Sequence, residues 1–407
     1  MYRPAIVVIA YDRPKALRRL LDSIESASYP EGISPVLVIS IDRSDSDDVV
    51  NMAKGFEYTH GKKVIIARSE RMGLRAHVLA CGDLTEEYGS IIVLEDDLFV
   101  APCFYEYACA ALDFSDNDER IGAVSLYDHR FNVHKRESFV AADDGFDNYY
   151  LQLASSWGQA YTKKQWDSFK TWYRDNRDKD LADPFVPANV SGWSDRSWLK
   201  YYIVYLIETD KYCLYPRKSL TTNFGDIGSH AEKTDTDLQV PMAGSKHCRC
   251  DFSGLDTSHA VYDSFFELVG CYKEDRICLG DYDGSRKSTD AGLIVDLYGL
   301  KPVTDQIAKA NDTPGAVKIR YVLSAVPLPF KVIKSFGRQM RPVDANIRFQ
   351  VAGNDLYLYD VTAAGNPPKT GKKALRLFYE YRGISSKSMV EMIKYRIFEK
   401  IFKNYGR

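Results

Sequence analysis

The first 130 residues alternate short apolar runs with helical patterns, and this alternation limits the fold more than any other feature of the sequence. The apolar runs predict strands at 5–10, 36–41, 64–67, 91–94 and 121–126. Leu17, Leu20 and Leu21 have the spacing of an amphipathic helix after the first strand, and 73–88 predicts another helix. Strands that are apolar throughout and separated by helices form a mostly parallel sheet covered on both faces. The predicted class is therefore α/β.

Polar residues follow four of these strands, at the points where the strands end. They are Tyr11, Asp12 and Arg13 after the first strand, Asp42 after the second, Arg75 and His77 beyond the third, and Glu95, Asp96 and Asp97 after the fourth. Ligands bind beyond the carboxyl ends of parallel strands, so we expect these residues to surround one binding site. Any single member could instead be a helix cap or a solvated loop residue, and His77 could simply pack on its helix.

Three consecutive acids, Glu95, Asp96 and Asp97, are the most specific part of this pattern. Acids at the end of a buried strand either repel one another or share a cation. Mn²⁺ or Mg²⁺ held by one or two carboxylates and completed by phosphate oxygens suits a diphosphate leaving group. In an extended chain, Glu95 and Asp97 would point to one side and Asp96 to the other. The alternative is a solvated acidic turn.

The acidic run is part of a longer pattern, Glu-Asp-Asp-Leu-x-Val-Ala-Pro-x-Phe-x-x-Tyr, at 95–107. This pattern resembles nucleotide-sugar glycosyltransferases of the GT-A fold, which is Rossmann-like, and is most similar to the N-acetylglucosaminyltransferase I group. Asp12, Arg13 and Asp42 fall at places that hold uracil and phosphate in that family. The resemblance implies that the last acid of the run ligates the metal and that the first two face the donor sugar or ribose.

The resemblance continues between residues 150 and 235. Residues 192–198 fall where the family has Trp-Asp-Asp-Trp, one acid of which is the catalytic base. Asp195 is the acid left in this run, because Ser194 replaces the other, and Trp198 comes two residues later than in the family. The resemblance makes Asp195 the candidate base that accepts the acceptor's proton in an inverting displacement. A helix-capping aspartate is the alternative.

Two further groups of side chains are candidates in this region. Trp157, Trp193 and Trp198 could cover the apolar faces of an acceptor sugar, or could be ordinary core residues. Residues 215–230 are similar to a family segment that orders over the bound nucleotide. Within it, His230 could touch the diphosphate or the metal, and a loop histidine without a ligand role is the alternative.

The resemblance fades near residue 255, so we expect a glycosyltransferase domain at 1–250, with a nucleotide half at 1–130 and an acceptor half at 131–250. Short strand patterns follow, and 251–369 is predicted to be a small accessory α+β domain. His247, Cys248 and Cys250, with Cys271 and Cys278 downstream, lack the paired spacing of a structural zinc site.

Residues 370–407 differ in character from the rest of the chain. They carry ten Lys and Arg against three Glu, a net charge of +7, within a chain whose total is −2. Met389, Ile393 and Ile397 recur every four residues, so the segment predicts a basic amphipathic helix that lies on an anionic membrane or packs on the accessory domain. The sequence has neither a signal peptide pattern nor a membrane-spanning apolar run, and we expect a cytoplasmic protein, peripheral to the inner face of the cell membrane if the tail docks there. The near-zero total charge argues against nucleic acid as a partner.

The residues and the resemblance together predict a metal-dependent, inverting glycosyltransferase of bacterial surface-polysaccharide biosynthesis. The resemblance implies a UDP-sugar donor, with N-acetylglucosamine as the candidate sugar, and a glycan or lipid-linked glycan acceptor. A sugar nucleotidyltransferase would need a glycine-rich basic loop after the first strand, where 11–14 has no glycine. A non-catalytic carbohydrate-binding protein would not need three clustered acids.

Overall fold

A computed structural model describes residues 1–226, 238–269, 292–316 and 318–368, together with 387, 390, 391, 393, 394 and 397. Its strands, numbered along the chain, are β1 Ala5–Ala10, β2 Leu37–Ile41, β3 Lys63–Ala67, β4 Ser90–Glu95, β5 Leu98–Val100, β6 Ile121–Ser125, β7 Phe131–Asn132, β8 Glu137–Ser138, β9 Asn148–Leu151, β10 Gln159–Thr162, β11 Tyr212–Pro216, β12 Thr221–Asn223, β13 Val261–Tyr262, β14 Leu293–Asp296, β15 Tyr321–Ser324, β16 Phe330–Phe336 and β17 Leu356–Ala364. Its helices are α1 Pro14–Glu25, α2 Asp48–Gly55, α3 Leu74–Gly82, α4 Thr85–Tyr88, α5 Phe104–Ser115, α6 Lys163–Asn176, α7 Ala188–Ser191, α8 Trp198–Glu208, α9 Val303–Asp312 and α10 Ala345–Arg348.

A nine-stranded sheet in the order β13-β9-β11-β6-β10-β4-β1-β2-β3 forms the centre of the molecule. The strands β3, β2, β1 and β4 are parallel neighbours, and β10 is inserted antiparallel between β4 and β6. The sheet has a hydrophobic core on each face, and alternate residues of β1 belong to different cores. Val7 and Ile9 pack on one face, and Ile6 and Val8 pack on the other. The predicted α/β class with a mostly parallel sheet is confirmed.

The helices follow from local sequence. Pro14 occupies the first turn of α1, where its missing N–H costs no hydrogen bond, and Leu17, Leu20 and Leu21 are fully buried. The helix expected at 73–88 is interrupted and forms α3 and α4. It breaks after Gly82, where the Trp166 indole packs so closely on the glycine that a Cβ would have no room.

A second sheet of four strands, in the order β14-β15-β17-β16, follows in the chain. It is not separated from the first sheet by solvent, because Leu323 and Leu358 share a hydrophobic core with Tyr262 and Phe266. The nine-stranded sheet also extends past the boundary expected at residue 250, since β13 pairs with β9. No helix among the residues that the structure describes is long and apolar enough to span a bilayer.

Candidate active site

Strands β1 and β4 are parallel neighbours in register at Ile9 and Glu95, so the segments that follow them meet at one edge of the sheet. The guanidinium of Arg13 donates to Asp96, which is 3% exposed, and donates to Oδ2 of Asp97 at 3.1 Å. Arg13, which follows β1, therefore supplies the counter-charge for Asp96 and Asp97, which follow β4.

The chain bends within the acidic run. Strand β4 ends at Glu95, residues 96 and 97 form a turn, and β5 begins at Leu98. The prediction that Asp96 and Asp97 point to opposite sides was wrong, because it requires an extended backbone. In the turn, both carboxylates contact Arg13. The turn places two carboxylates on one cation.

Burial sets the protonation of this cluster. It raises the pKa of Asp96 to about 6, although the charge of Arg13 opposes the rise. Burial, followed by repulsion from Asp97 and Asp96, raises the pKa of Glu95 to about 8. Burial thus shifts the pKa of both acids in the same direction and favours their uncharged forms.

One carboxylate oxygen of Asp97 has no hydrogen-bond partner among the described residues. Its Oδ1 is buried without a hydrogen-bond partner, whereas its Oδ2 accepts from Arg13. A buried carboxylate oxygen without a donor is costly unless a cation or donor reaches it, so Asp97 fits a metal that takes one ligand from the protein and others from a diphosphate. No three His, Cys, Asp or Glu side chains are grouped as a complete metal site in the parts of the chain that the structure describes.

The strand pair β5–β12 forms one wall beside the acids. The Phe224 N–H donates to the carbonyl oxygen of Asp97 at 3.1 Å, and Arg19 of α1 forms an ion pair with Asp226. The Arg19 guanidinium also lies 3.9 Å from the centre of the Phe224 ring. Sequence reasoning missed Arg19, which does not follow a strand of the nine-stranded sheet, and it included Phe224 only as part of the segment 215–230. His230 lies outside the described residues.

Asp42 and His77 have structural partners. The carboxylate of Asp42 is 4% exposed and accepts the backbone N–H groups of Arg43, Met72 and Gly73 at 2.8 to 2.9 Å. It therefore fixes the turn before α3, where Gly73 has a φ of 78°. His77 is 2% exposed, lies 2.8 Å from the Ser40 hydroxyl, and has its pKa lowered to about 4 by burial. His77 thus packs on β2, in agreement with the packing alternative, and its contact with a nucleotide stays a prediction.

The other candidates for the nucleotide lie nearer solvent. Asp12 is exposed, and the Arg71 guanidinium lies 4.9 Å from the centre of the Tyr11 ring. Arg75 donates to the hydroxyl of Tyr201 on α8 at 2.9 Å. Tyr11 and Arg75 thus border the same edge of the sheet from β1 and α3.

The first residue of α8 contacts the acidic run. The Trp198 side chain is 4% exposed and lies beside Glu95, where its interaction with the carboxyl group lowers the pKa of that acid. Of the two alternatives given for Trp198, an acceptor contact and core packing, its burial agrees with core packing. Asp195 lies three residues earlier with its side chain 81% exposed, and Lys200 donates to it at 3.2 Å.

The GNT-I family model matches residues 2–181, which include β1 to β10 and all three acids. This part of the chain is a glycosyltransferase domain. The match confirms the resemblance to the N-acetylglucosaminyltransferase I group, and with the observed sheet it confirms the predicted GT-A architecture. The matched range ends before Asp195 and α8.

No curated protein matches the sequence. Similar solved structures include TarS 1-349 of S. aureus, at 14% identity and a TM-score of 0.33 over 53% of this chain and 59% of that one. They also include the same TarS fragment in complex with UDP-GlcNAc, at 14% identity and a TM-score of 0.34 over 56% and 60%. The mannosyltransferase PcManGT of Pyrobaculum calidifontis, in complex with GDP-Man and Mn²⁺, aligns at 16% identity and a TM-score of 0.30 over 42% and 47%. The alignments span less than two thirds of each of these chains, and TM-scores this low add nothing to the assignment.

The glycosyltransferase domain has a further polar group at the end of β6, which sequence reasoning missed although the same strand-end rule would have found it. Asp128 is 4% exposed, pairs with Arg130 at 2.5 Å, and has its pKa raised to about 7 by burial. Burial lowers the pKa of the neighbouring His129 to about 3, and neither of its ring nitrogens has a partner among the described residues.

Trp157 and Trp193 are both half-buried. The Trp157 ring lies 4.7 Å from that of Tyr127 and 5.9 Å from that of His129, so it packs in the aromatic cluster behind β6. Trp193 packs against the other core, and its carbonyl oxygen accepts from Lys200. Each keeps part of its ring accessible, and both stay candidates for the acceptor side.

Proposed function

We propose that the chain transfers a sugar from a nucleotide diphosphate sugar to an acceptor hydroxyl, with Mn²⁺ or Mg²⁺ at Asp97. The supporting observation is the buried, unpartnered Oδ1 of Asp97 beside the Arg13–Asp96 ion pair. These residues lie in the range that matches the GNT-I family model. The bound cation would neutralise the charge that develops on the departing diphosphate.

The proposed donor is a UDP-sugar, with N-acetylglucosamine as the first candidate because of the family match. Arg13 already lies at the metal-binding acid and can donate to a phosphate oxygen as well as to a carboxylate. Tyr11 and Arg75 border the same edge, where a base or ribose would lie. Asp42 supports this site indirectly, by holding the turn at Met72 and Gly73.

We propose Asp195 as the general base of an inverting displacement. The contact between Trp198 and Glu95 supports this role, because it holds the start of α8 against the acidic run. The Asp195 carboxylate is open to an incoming hydroxyl, and the Lys200 ammonium group donates to it at 3.2 Å. A carboxylate in this position would remove the acceptor proton as the anomeric carbon is attacked.

The acceptor we propose is a glycan or lipid-linked glycan of a bacterial surface polysaccharide. Trp157 and Trp193 are half-buried, and each could cover one face of an acceptor sugar. The basic segment 370–407 would bring the domain to a membrane that carries such an acceptor.

The experiment measures nucleotide release from a panel of UDP- and GDP-sugars, with Mn²⁺ and with EDTA. We expect release from at least one donor with Mn²⁺, none with EDTA, and a loss of roughly 100-fold or more in Asp97→Asn, since a metal ligand is removed. Asp22→Asn, an exposed acid on α1, is the matched control and should retain activity. Equal turnover in EDTA would contradict the metal role. Failure of every donor to bind or react would contradict the proposed function.

A further inference from the structure

Three cysteine side chains meet on the side of the molecule where α5 begins. Cys103 is the N-cap residue of α5 and is fully buried, whereas Cys248 and Cys250 are half-buried. The sulfur atoms of Cys248 and Cys250 are 3.3 Å apart, and the Cys248 thiol donates to the backbone carbonyl oxygen of Cys103 at 4.0 Å. Cys248 is thus the middle member of a row of three thiols.

Hydrogen bonds upstream hold the segment that carries two of these thiols in place. We call residues 238–250 the return segment. The carbonyl oxygen of Leu238 accepts from Tyr127, the Val240 N–H donates to Thr222, and the Ala243 N–H donates to the carbonyl oxygen of Ser219. These bonds fix the return segment beside β12, so the approach of its cysteines to α5 is part of the fold.

The thiols differ in reactivity in a way that suits exchange. Hydrogen bonding with Cys248 lowers the pKa of Cys250 and of Cys103, and the same contacts raise the pKa of Cys248. A thiol with a lowered pKa and partial exposure is the form that attacks disulfides, and Cys250 has both properties. By contrast, burial raises the pKa of Cys81 to about 11 and that of Cys109 to about 12.

We propose that Cys103, Cys248 and Cys250 form a thiol–disulfide exchange site that is oxidised by low-molecular-weight disulfides. The Cys250 thiolate attacks the small disulfide, which forms a mixed disulfide and releases one small thiolate. The Cys248 sulfur then attacks that of Cys250, which releases the second small thiolate and closes a Cys248–Cys250 bond. Cys103 can in turn attack Cys248, which returns Cys250 to a thiol. Two protein thiols are oxidised and one small disulfide is reduced to two thiols.

The second exchange has a structural consequence. A Cys103–Cys248 bond would join the start of α5 to the return segment, and α5 begins four residues after β5 ends. The covalent link would close a loop of about 145 residues, the kind of crosslink that restricts the unfolded chain most. The inference rests on the thiols alone and does not depend on the proposed sugar transfer.

The test uses the full chain with Cys271 and Cys278 replaced by Ser, equilibrated in mixtures of reduced and oxidised glutathione. Acid quenching, alkylation and peptide mapping by mass spectrometry then identify the bonded cysteines. We expect one intramolecular disulfide that contains Cys248, paired with Cys250 or Cys103, and a protein lighter by two hydrogen atoms. Full alkylation of Cys248 in the most oxidising mixture, or glutathione adducts alone, would overturn the proposal.

Variants identify the middle thiol. Cys248→Ser should form no intramolecular disulfide, whereas Cys103→Ser and Cys250→Ser should each retain one bond, to the neighbour that is left. Cys109→Ser, which alters a buried cysteine of the same helix, is the matched control and should oxidise as the parent does. Circular dichroism of each variant establishes folding, and the map of the parent protein decides the proposal even if a variant fails to fold.

Discussion

Arg13 has two opposing effects on the acidic run. It stabilises Asp96 and Asp97, which would otherwise be buried without a counter-charge, but it also occupies Oδ2 of the carboxylate proposed to hold the metal. A cation and Arg13 therefore compete for Asp97 when no nucleotide is present. Once a diphosphate binds, its oxygens give the guanidinium a second set of acceptors.

This competition predicts opposite changes in Arg13→Met. Binding of Mn²⁺ alone should become tighter, because a positive charge leaves the site. Binding of UDP-sugar with Mn²⁺ should weaken by about 10-fold or more, the value of one charge-assisted hydrogen bond. Isothermal titration calorimetry measures both affinities, and Arg18→Met on the exposed side of α1 is the control. If both affinities moved in the same direction, the competition would be excluded.

The sequence predicted the residues at the strand ends better than it predicted their partners. Arg13, Asp96 and Asp97 do meet, because the carboxyl ends of parallel strands share one edge. It could not predict that His77 would pack against Ser40 or that Trp198 would contact Glu95. Each contact joins residues that are far apart in the chain, and it depends on how the helix that carries one of them is rotated about its axis. Residue type and spacing do not fix that rotation.

Asp195 gives a second prediction at this scale. Asp195→Asn should leave donor affinity unchanged and lower the rate of transfer by about 10²–10⁴-fold, the range for loss of a general base. Asp178→Asn alters another highly exposed aspartate, at the end of α6, and should transfer normally. Single-turnover transfer and donor titration separate the two quantities. Transfer near the parent rate would remove Asp195 from the mechanism.

At the scale of elements, apolar runs located the strands and tertiary packing decided their ends. The run expected at 91–94 becomes β4, Ser90–Glu95, and that at 64–67 becomes β3, Lys63–Ala67. The close contact between Gly82, the last residue of α3, and Trp166 of α6 could not be predicted from the sequence, because the two residues are 84 positions apart. Local sequence gives no information about such a neighbour.

The C-terminal segment supplies a prediction about an element. Val390, Ile393 and Ile397 are helical and are 49%, 55% and 55% exposed, so this part of the apolar face is open to a partner. We expect the chain to bind vesicles that contain anionic lipid and to lose this binding at high salt, since each basic residue near the leaflet contributes about 1 kcal/mol. Sedimentation with vesicles of phosphatidylcholine and phosphatidylglycerol measures it.

Two variants of residues 370–407 distinguish the electrostatic from the apolar contribution to vesicle binding. Ile393→Ser with Ile397→Ser should weaken binding at every salt concentration, whereas Lys387→Gln with Lys394→Gln should weaken it mainly at low salt. Vesicles of phosphatidylcholine alone are the lipid control. Removal of residues 370–407 without any loss of vesicle binding would show that this segment is not the contact.

At the scale of the whole molecule, the two larger sheets are joined by a buried polar cluster as well as by a shared apolar core. Lys301 of the second unit, the part of the chain around the four-stranded sheet, donates at 2.6 Å to Asp263 of the first unit, the part around the nine-stranded sheet. Glu267 of the first unit accepts the Tyr298 N–H at 2.9 Å. Lys309 and Asp183 form another ion pair between the same units, nearer to solvent. The sequence could not predict this joint, because the boundary expected at residue 250 places all four residues of the buried cluster in the accessory domain, and no sequence pattern pairs side chains that are 31 to 38 residues apart.

The joint predicts a pH-dependent stability. Burial raises the pKa of Glu267 well above its usual value, and the charge of Lys301 opposes that rise. A carboxyl group whose pKa is raised by folding contributes stability that is present below its unfolded pKa, near 4.5, and is lost as the pH rises. Lys301→Met should therefore raise this pKa further, so that the loss of stability above pH 4.5 continues to a higher pH, and Glu267→Gln in the same background should abolish most of that pH dependence.

Urea unfolding at several pH values measures these effects. At pH 7, Lys301→Met should cost about 3–5 kcal/mol of unfolding free energy, because Asp263 loses its ion-pair partner and the buried Glu267 loses the positive charge that faces it. Lys309→Met is the matched control, since it breaks an ion pair between the same two units whose lysine side chain is 46% exposed, and it should cost about 1 kcal/mol or less. Equal losses in the two variants would mean that burial does not determine the strength of the joint, and a pH-independent loss in Lys301→Met would exclude Glu267 as its titrating group.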